Sequence, residues 1–206
     1  MLTERTKLRR REGRGVHDPA TIFGILDAAL VSHVGFVARG QPYVIPTMHV
    51  RLEDRLYFHG APANRMLGTL SRGVPCCLTA TLVDGLVLGR SAFRHSLNYR
   101  SVVVLGVAEA VTDADEALAS LHALVEKVQP GRWSGCRPPS PEELRATAIV
   151  RLPVVEASAK IRSGPPMDLE ADLALSHWAG VVPLRTVHGA PEPDPTLRAG
   201  IPFPHS

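Results

Sequence analysis

The sequence predicts a mainly β protein, a small antiparallel barrel with helices at its edge. Short alternating or β-branched runs follow one another at turn-length gaps, as at residues 34–38, 43–45, 49–52 and 56–58. Only three to four stretches show helical spacing, and they do not alternate one for one with strands, which argues against a doubly wound sheet. A chain of 206 residues with 45% hydrophobic content is enough for one substantial core.

Residues 1–16 read as a basic arm in which Arg5, Lys7, Arg9, Arg10, Arg11 and Arg14 face only Glu4 and Glu12. Such an arm suits nucleic acid, an anionic surface or a solvated tail. No aromatic residue stands among its charges to stack on a base, and the net charge is only +3, so no nucleic-acid partner is expected. Asp18 before Pro19 is an N-cap followed by a proline at the first helical position. Ile22, Ile25, Leu26, Ala29 and Leu30 then recur at helical spacing and predict a helix to about Val31.

A meander follows, its strands joined by the turns Arg39-Gly40-Gln41-Pro42 and Glu53-Asp54-Arg55. A short helix over 63–71 puts Met66, Leu67 and Leu70 on one face and stops at Gly73. Residues 74–83 form the next strand, with Asp84-Gly85 as its turn, and 101–111 a Val/Leu-rich strand suited to a central position. A helix over 113–128 turns Leu118, Leu121, Leu124, Val125 and Val128 inward. Ser140-Pro141-Glu142-Glu143 is a capping box that opens another helix, and 148–160 is the last strand. The barrel domain thus spans 17–163, with six to seven antiparallel strands. Prolines 165, 166, 183, 191, 193, 195, 202 and 204 exclude regular structure from much of the extension 164–206. One short helix over 168–178 is expected there, and the rest should cross the domain or a partner subunit.

Several function classes drop out. No apolar run reaches the roughly 18 to 20 residues of a membrane span, and no apolar segment backs the N-terminal charges as in a secretory signal, so a cytoplasmic protein is expected. Cys76, Cys77 and Cys136 make neither a disulfide framework nor a zinc set and read as small hydrophobes. His49, His59 and His95 lack the i, i+4 spacing of a helix-borne metal site, and no metal is expected. No hydrolase elbow, Walker or dinucleotide glycine pattern occurs.

What remains is a set of polar residues at the ends of packed elements. Asn98-Tyr99-Arg100-Ser101 runs straight into a β-branched strand, where a phosphate or an aromatic ring can be held rigidly. Pro46-Thr47-Met48-His49 stands upstream as its companion. His59-Gly60-Ala61 leaves a strand end with small residues that admit a ligand to the backbone, and the helix dipole behind them favours an anion. Asn64, Arg65 and Arg72 are the donors there, with Arg65 best suited to a bidentate phosphate contact. His59 could be a ligand, a general acid or a hydrogen-bonded core histidine, and spacing alone favours the structural role. Gly85-Leu86-Val87-Leu88-Gly89 suits a bend against a packed ligand, and the Trp178-Ala179-Gly180 string suits a pocket cap or a subunit contact.

Pro42-Tyr43-Val44-Ile45-Pro46-Thr47, Leu56-Tyr57-Phe58-His59-Gly60, Asn64-Arg65-Met66-Leu67 and Asn98 through Gly106 stand in an order that resembles the pyridoxamine 5'-phosphate oxidase-like flavoproteins. Among these, the branch of the 5-nitroimidazole resistance proteins is the most similar. The resemblance implies an FMN-binding split β-barrel, a homodimer with flavin at the subunit interface. Pro46, Thr47, Met48 and His49 would then lie beside the ring, and Asn64 and Arg65 at the phosphate. Tyr99, Arg100 and Ser101 would lie along the ribityl-phosphate side or across the interface, and His59 would be the catalytic histidine. An oxidoreductase acting on a nitroaromatic or quinone-like molecule is implied. True pyridoxamine phosphate oxidation is not, since the basic array for the substrate phosphate is missing. A non-catalytic flavin or haem carrier and an F420-dependent reductase are the alternatives.

Overall fold

The computed structural model describes residues 1–7, 9 and 12–204, so Arg10 and Arg11 of the basic arm lie outside the described residues. In chain order the elements are β1 (Gly15–Val16), α1 (Pro19–Ala28), β2 (Val31–Ala38), β3 (Gln41–Met48), β4 (Val50–Leu52), β5 (Arg55–Gly60), α2 (Arg65–Leu70) and β6 (Pro75–Leu88). Then come β7 (Ser96–Val107), β8 (Glu109–Ala110), α3 (Ala114–Val128), α4 (Pro141–Arg145), β9 (Ala148–Pro153), β10 (Glu156–Arg162) and β11 (Gly180–Pro183). Seven strands form one sheet, ordered β1-β10-β7-β6-β2-β3 with β11 also on β6, and four form a second, ordered β4-β5-β9-β8. This is a split β-barrel with peripheral helices. Among the described residues no helix is long and apolar enough to cross a membrane.

The barrel closes on one core. Ile22, Ile25 and Leu26 of α1 plug it against Phe58, Leu56, Leu78, Val102, Val104 and Leu152, all buried. A smaller cluster of Val50, Tyr57 and Ile149 packs under Leu121 and Leu124 of α3. Tyr57 Oη donates to Glu116 at 2.8 Å, and Arg151 pairs with Glu116 and Glu109, which fixes the start of α3 on the four-stranded sheet.

Local signals act as their chemistry predicts. Asp18 Oδ2 accepts the Thr21 amide at 2.8 Å, and Ser140 and Glu143 complete the reciprocal capping box. Cys76, Cys77 and Cys136 are free thiols. Four expectations need correction. The first helix stops at Ala28 rather than near Val31, because the Leu26 carbonyl is taken by His49 Nε2 and Lys127 Nζ and β-branched Val31 begins β2 against Met48. Asp84-Gly85 is not a turn: β6 runs on to Leu88 through a bulge between Val83 and Gly85. The single strand over 148–160 is two strands, broken where the Val154 amide donates to the Asp54 carbonyl and the chain changes sheets. The helix over 168–178 shrinks to a turn at Glu170–Asp172, since the buried Asp168 carboxylate is anchored on the Arg90 amide and guanidinium. The larger strand count comes from the division of 148–160 and from the two- to four-residue strands β1, β8 and β11, too short to leave a periodic signature.

Candidate functional site

The turn between β2 and β3 and the start of α2 enclose a polar cavity of about 440 Å³. Arg65 opens α2, and its guanidinium lies over the Tyr43 ring at 4.6 Å from the centroid. Tyr43 in turn stacks on buried Phe36, ring centroids 5.6 Å apart, so the arginine rests on an aromatic base anchored in the core. Arg72, just beyond α2, reaches back to the Gly68 carbonyl and lies 3.5 Å from Thr69 Oγ1. Arg39 completes the set from the hairpin turn. No carboxylate lines this cavity, and none of the three arginines has an ion pair among the described residues. Three uncompensated cations around one small space make a strong anion attractor.

An anion held here would not depend on the helix dipole. Asn64 Oδ1 accepts the amides of Met66 at 2.8 Å and Leu67 at 3.3 Å, so the first-turn donors of this six-residue helix are already satisfied. Asn64 therefore builds the wall, while Arg65 supplies the charge.

Along β7 the adjacent candidates part company, because successive side chains point to opposite faces of a strand. Register puts Pro46 opposite His33, His33 opposite Thr79, Ser101 opposite Thr81 and Tyr99 opposite Val83. Pro46, Met48, Tyr99 and Ser101 thus share the outer face of the seven-stranded sheet, away from core residues Val34, Leu78 and Val102. Ser101 Oγ donates to the Lys160 carbonyl at 3.3 Å. Thr47 and Arg100 face the other way. Arg100 is clamped to Asp84 by two hydrogen bonds, Nε to Oδ2 at 2.9 Å and Nη2 to Oδ1 at 2.7 Å. The pair lowers the Asp84 carboxyl and raises the Arg100 guanidinium. Arg100 is committed to a neighbour in a way that Arg65 is not.

The two histidines also separate. His49 is 0% exposed, its Nε2 2.8 Å from the Leu26 carbonyl and 3.4 Å from Lys127 Nζ. Burial, then the Lys127 charge, pushes its pKa down to about 4. Its ring is enclosed against the end of α1, which it caps, rather than open on the outer face with Pro46 and Met48. Burial also pushes Lys127 down to about 8. His59, half-buried on β5, shares a face with Tyr57 and lies outside the arginine cavity. Its Nδ1 is buried without a partner, as is that of His49, and burial lowers its pKa, favouring the uncharged ring.

The structure thus brings Asn64 and Arg65 together with Arg39, Tyr43 and Arg72, and leaves His59 and Arg100 elsewhere. Arg39 and Tyr43 escape a sequence reading that sees only a turn and a strand there. The glycines near the end of β6 receive the extension rather than a ligand: a Cβ on Gly85 would meet Val181 Cγ1 at 3.0 Å, and one on Gly89 would meet Asp168 Oδ1 at 2.9 Å. Trp178 is 66% exposed beside Gly180.

Comparison with known proteins fits this architecture. The pyridoxamine 5'-phosphate oxidase family description matches residues 18–161. The solved structure of flavocytochrome Anf3 from Azotobacter vinelandii is 41% identical with a TM-score of 0.92, covering 98% of this chain and 94% of its own. The FAD and heme binding protein from Mycobacterium smegmatis is 34% identical with a TM-score of 0.89, covering 93% and 94%. A Bacteroides thetaiotaomicron structure described under 5-nitroimidazole antibiotic resistance, 24% identical with a TM-score of 0.60 over 71% of this chain and 86% of its own, shares the fold. No curated protein matches. The match over residues 18–161 and the two near-full-length relatives show that this chain belongs to the pyridoxamine 5'-phosphate oxidase family.

Proposed function

We propose that this protein is a flavin-dependent redox protein, with FAD favoured over FMN. The observation that carries the reading is the cavity of Arg39, Arg65 and Arg72, which holds three cations and no carboxylate. Its residues fit a flavin's phosphate end: Arg65 offers a planar fork braced on Tyr43, and Asn64 shapes the wall. FAD is favoured by the 34% identical relative described as binding it over nearly the whole chain. The outer sheet face with Pro46, Met48, Tyr99 and Ser101 suits the ring. It also carries exposed Val31, Val37 and Val44, an apolar surface that a second copy of the chain would cover. A bound flavin supplies electron transfer to a small organic acceptor such as a quinone or nitroaromatic; the chain supplies charge, orientation and exclusion of water.

A second reading adds haem. It is favoured by the flavocytochrome and by the FAD and heme binding protein, both matched over almost their full length. In this chain His59 suits the iron, since it is only half-buried, burial favours its uncharged ring and one ring nitrogen is unpartnered. That role replaces proton donation, which a ring with a lowered pKa performs poorly.

The absorption spectrum and cofactor mass of the protein as purified test both readings. Flavin bands, or a spectral change on titration with FAD or FMN, are expected. Their absence in both experiments overturns the flavin assignment. A Soret band that is lost in His59→Ala while the flavin bands stay supports haem on His59; a Soret band unchanged in that variant removes His59 from it.

A further inference from the structure

We propose that Arg39 reads a second phosphate, so that the arginine cavity is a diphosphate site which discriminates a dinucleotide flavin from a mononucleotide. The proposal deepens the flavin reading and rests on it for the identity of the ligand, though not for its anionic class. A phosphate monoester is one compact group, and Arg65 and Arg72, which flank α2, approach it from one wall. Arg39 is a third fork from a different element, the β2–β3 hairpin, and it has no hydrogen bond, ion pair or ring contact among the described residues.

The backbone makes its presence there costly. Ala38 pairs with Gln41, leaving a two-residue loop in which Arg39 has φ 52° and Gly40 φ 77°. Both central residues with positive φ is the pattern of a type I′ turn, which favours Asn, Asp or Gly at its first position. An arginine held there carries backbone strain with no compensating contact inside the protein. A diphosphate would provide that contact. Glu53 adopts nearly the same positive φ, 53°, at the β4–β5 hairpin, so the strain alone marks no site; what sets Arg39 apart is its place in the carboxylate-free cavity beside Arg65 and Arg72.

Arg39→Gly is the decisive variant, because glycine relieves the strained φ while deleting the guanidinium. In the full-length chain, FAD affinity is expected to fall about tenfold or more, FMN affinity to change less than about twofold, and the melting temperature without ligand to stay level or rise. Equal loss for FAD and FMN overturns the second-phosphate role, and no loss for either makes Arg39 a solvated hairpin tip. If the parent chain binds neither flavin, the flavin reading fails separately, and inorganic pyrophosphate against orthophosphate then tests this proposal. Stabilisation by pyrophosphate beyond orthophosphate, lost in Arg39→Gly, supports it; equal or no stabilisation overturns it.

Discussion

Arg65 and Arg100 stand in comparable places, each near the start of a packed element and each a natural donor to an anion, yet the fold treats them oppositely. Arg65 rests on Tyr43 with no carboxylate in its cavity, whereas Arg100 gives two hydrogen bonds to Asp84 across the β6–β7 pair. The difference lies in what the neighbouring element brings. The β6 bulge carries an acid to Arg100, while the β2–β3 turn brings a further cation to Arg65. An arginine next to an acid is a structural group first. An arginine among arginines is available to a ligand.

His49 and His59 share an unpartnered Nδ1 but differ in burial and at Nε2, and His49 gives the largest expected effect. His49 is satisfied at Nε2 and fully buried, with a pKa near 4 against 6.5 for an exposed ring. The unfolded chain therefore binds a proton between those values that the folded one refuses. Stability is complete above pH 6.5, is lost progressively as pH falls toward 4, and the loss levels off below that. The shift corresponds to about 3 kcal/mol. Chemical denaturation at pH 7 and pH 4 should show this loss, and His49→Gln, which keeps a donor for the Leu26 carbonyl, should flatten it. An unchanged acid slope in that variant would mean that His49 is not the buried, neutral group described here.

Arg65→Ala comes next. Flavin affinity should fall by about 1.5–3 kcal/mol, roughly ten- to a hundredfold, the range for hydrogen bonds to a charged group. Ligand-free stability should change by less than about 1 kcal/mol, because the lost contact with Tyr43 is offset by relief of repulsion from Arg39 and Arg72. Fluorescence titration and thermal melting separate the two quantities. A large loss of stability with unchanged affinity would reverse the comparison and make Arg65 the structural arginine.

How much of this was readable beforehand follows from the range of each signal. Asp18, Ser140 and the helical spacing of α3 act within four residues, and the sequence displays them directly. The bulge at Asp84-Gly85 and the break at Val154 depend on partners far along the chain, on Leu184 and Asp54, which no local pattern announces. The same holds at the site. Asn64 and Arg65 are adjacent and read together in the sequence, but Arg39 joins them only once β2 and β3 pair. Tyr99, Arg100 and Ser101 look like one motif in sequence, yet strand alternation divides them between two faces. In sequence His49 stands beside Pro46 like an available group, and only the packing of α1 and α3 buries it.

The smallest expected effect belongs to Arg100→Ala, and it tests the comparison from its other side. The Arg100–Asp84 pair is partly open to solvent, with side-chain exposures of 42% and 38%, so its loss should cost no more than about 1 kcal/mol. Flavin affinity should stay within about twofold of the parent, because a guanidinium already paired with a carboxylate would have to give up that contact to reach a phosphate. The Asp84 carboxyl, freed of its partner, should titrate closer to its ordinary value. A loss of flavin affinity matching that of Arg65→Ala would show that Arg100 exchanges Asp84 for the cofactor on binding. The acid beside it would then act as a counter-ion displaced by the ligand, and the distinction between a paired and an unpaired arginine would describe only the ligand-free state.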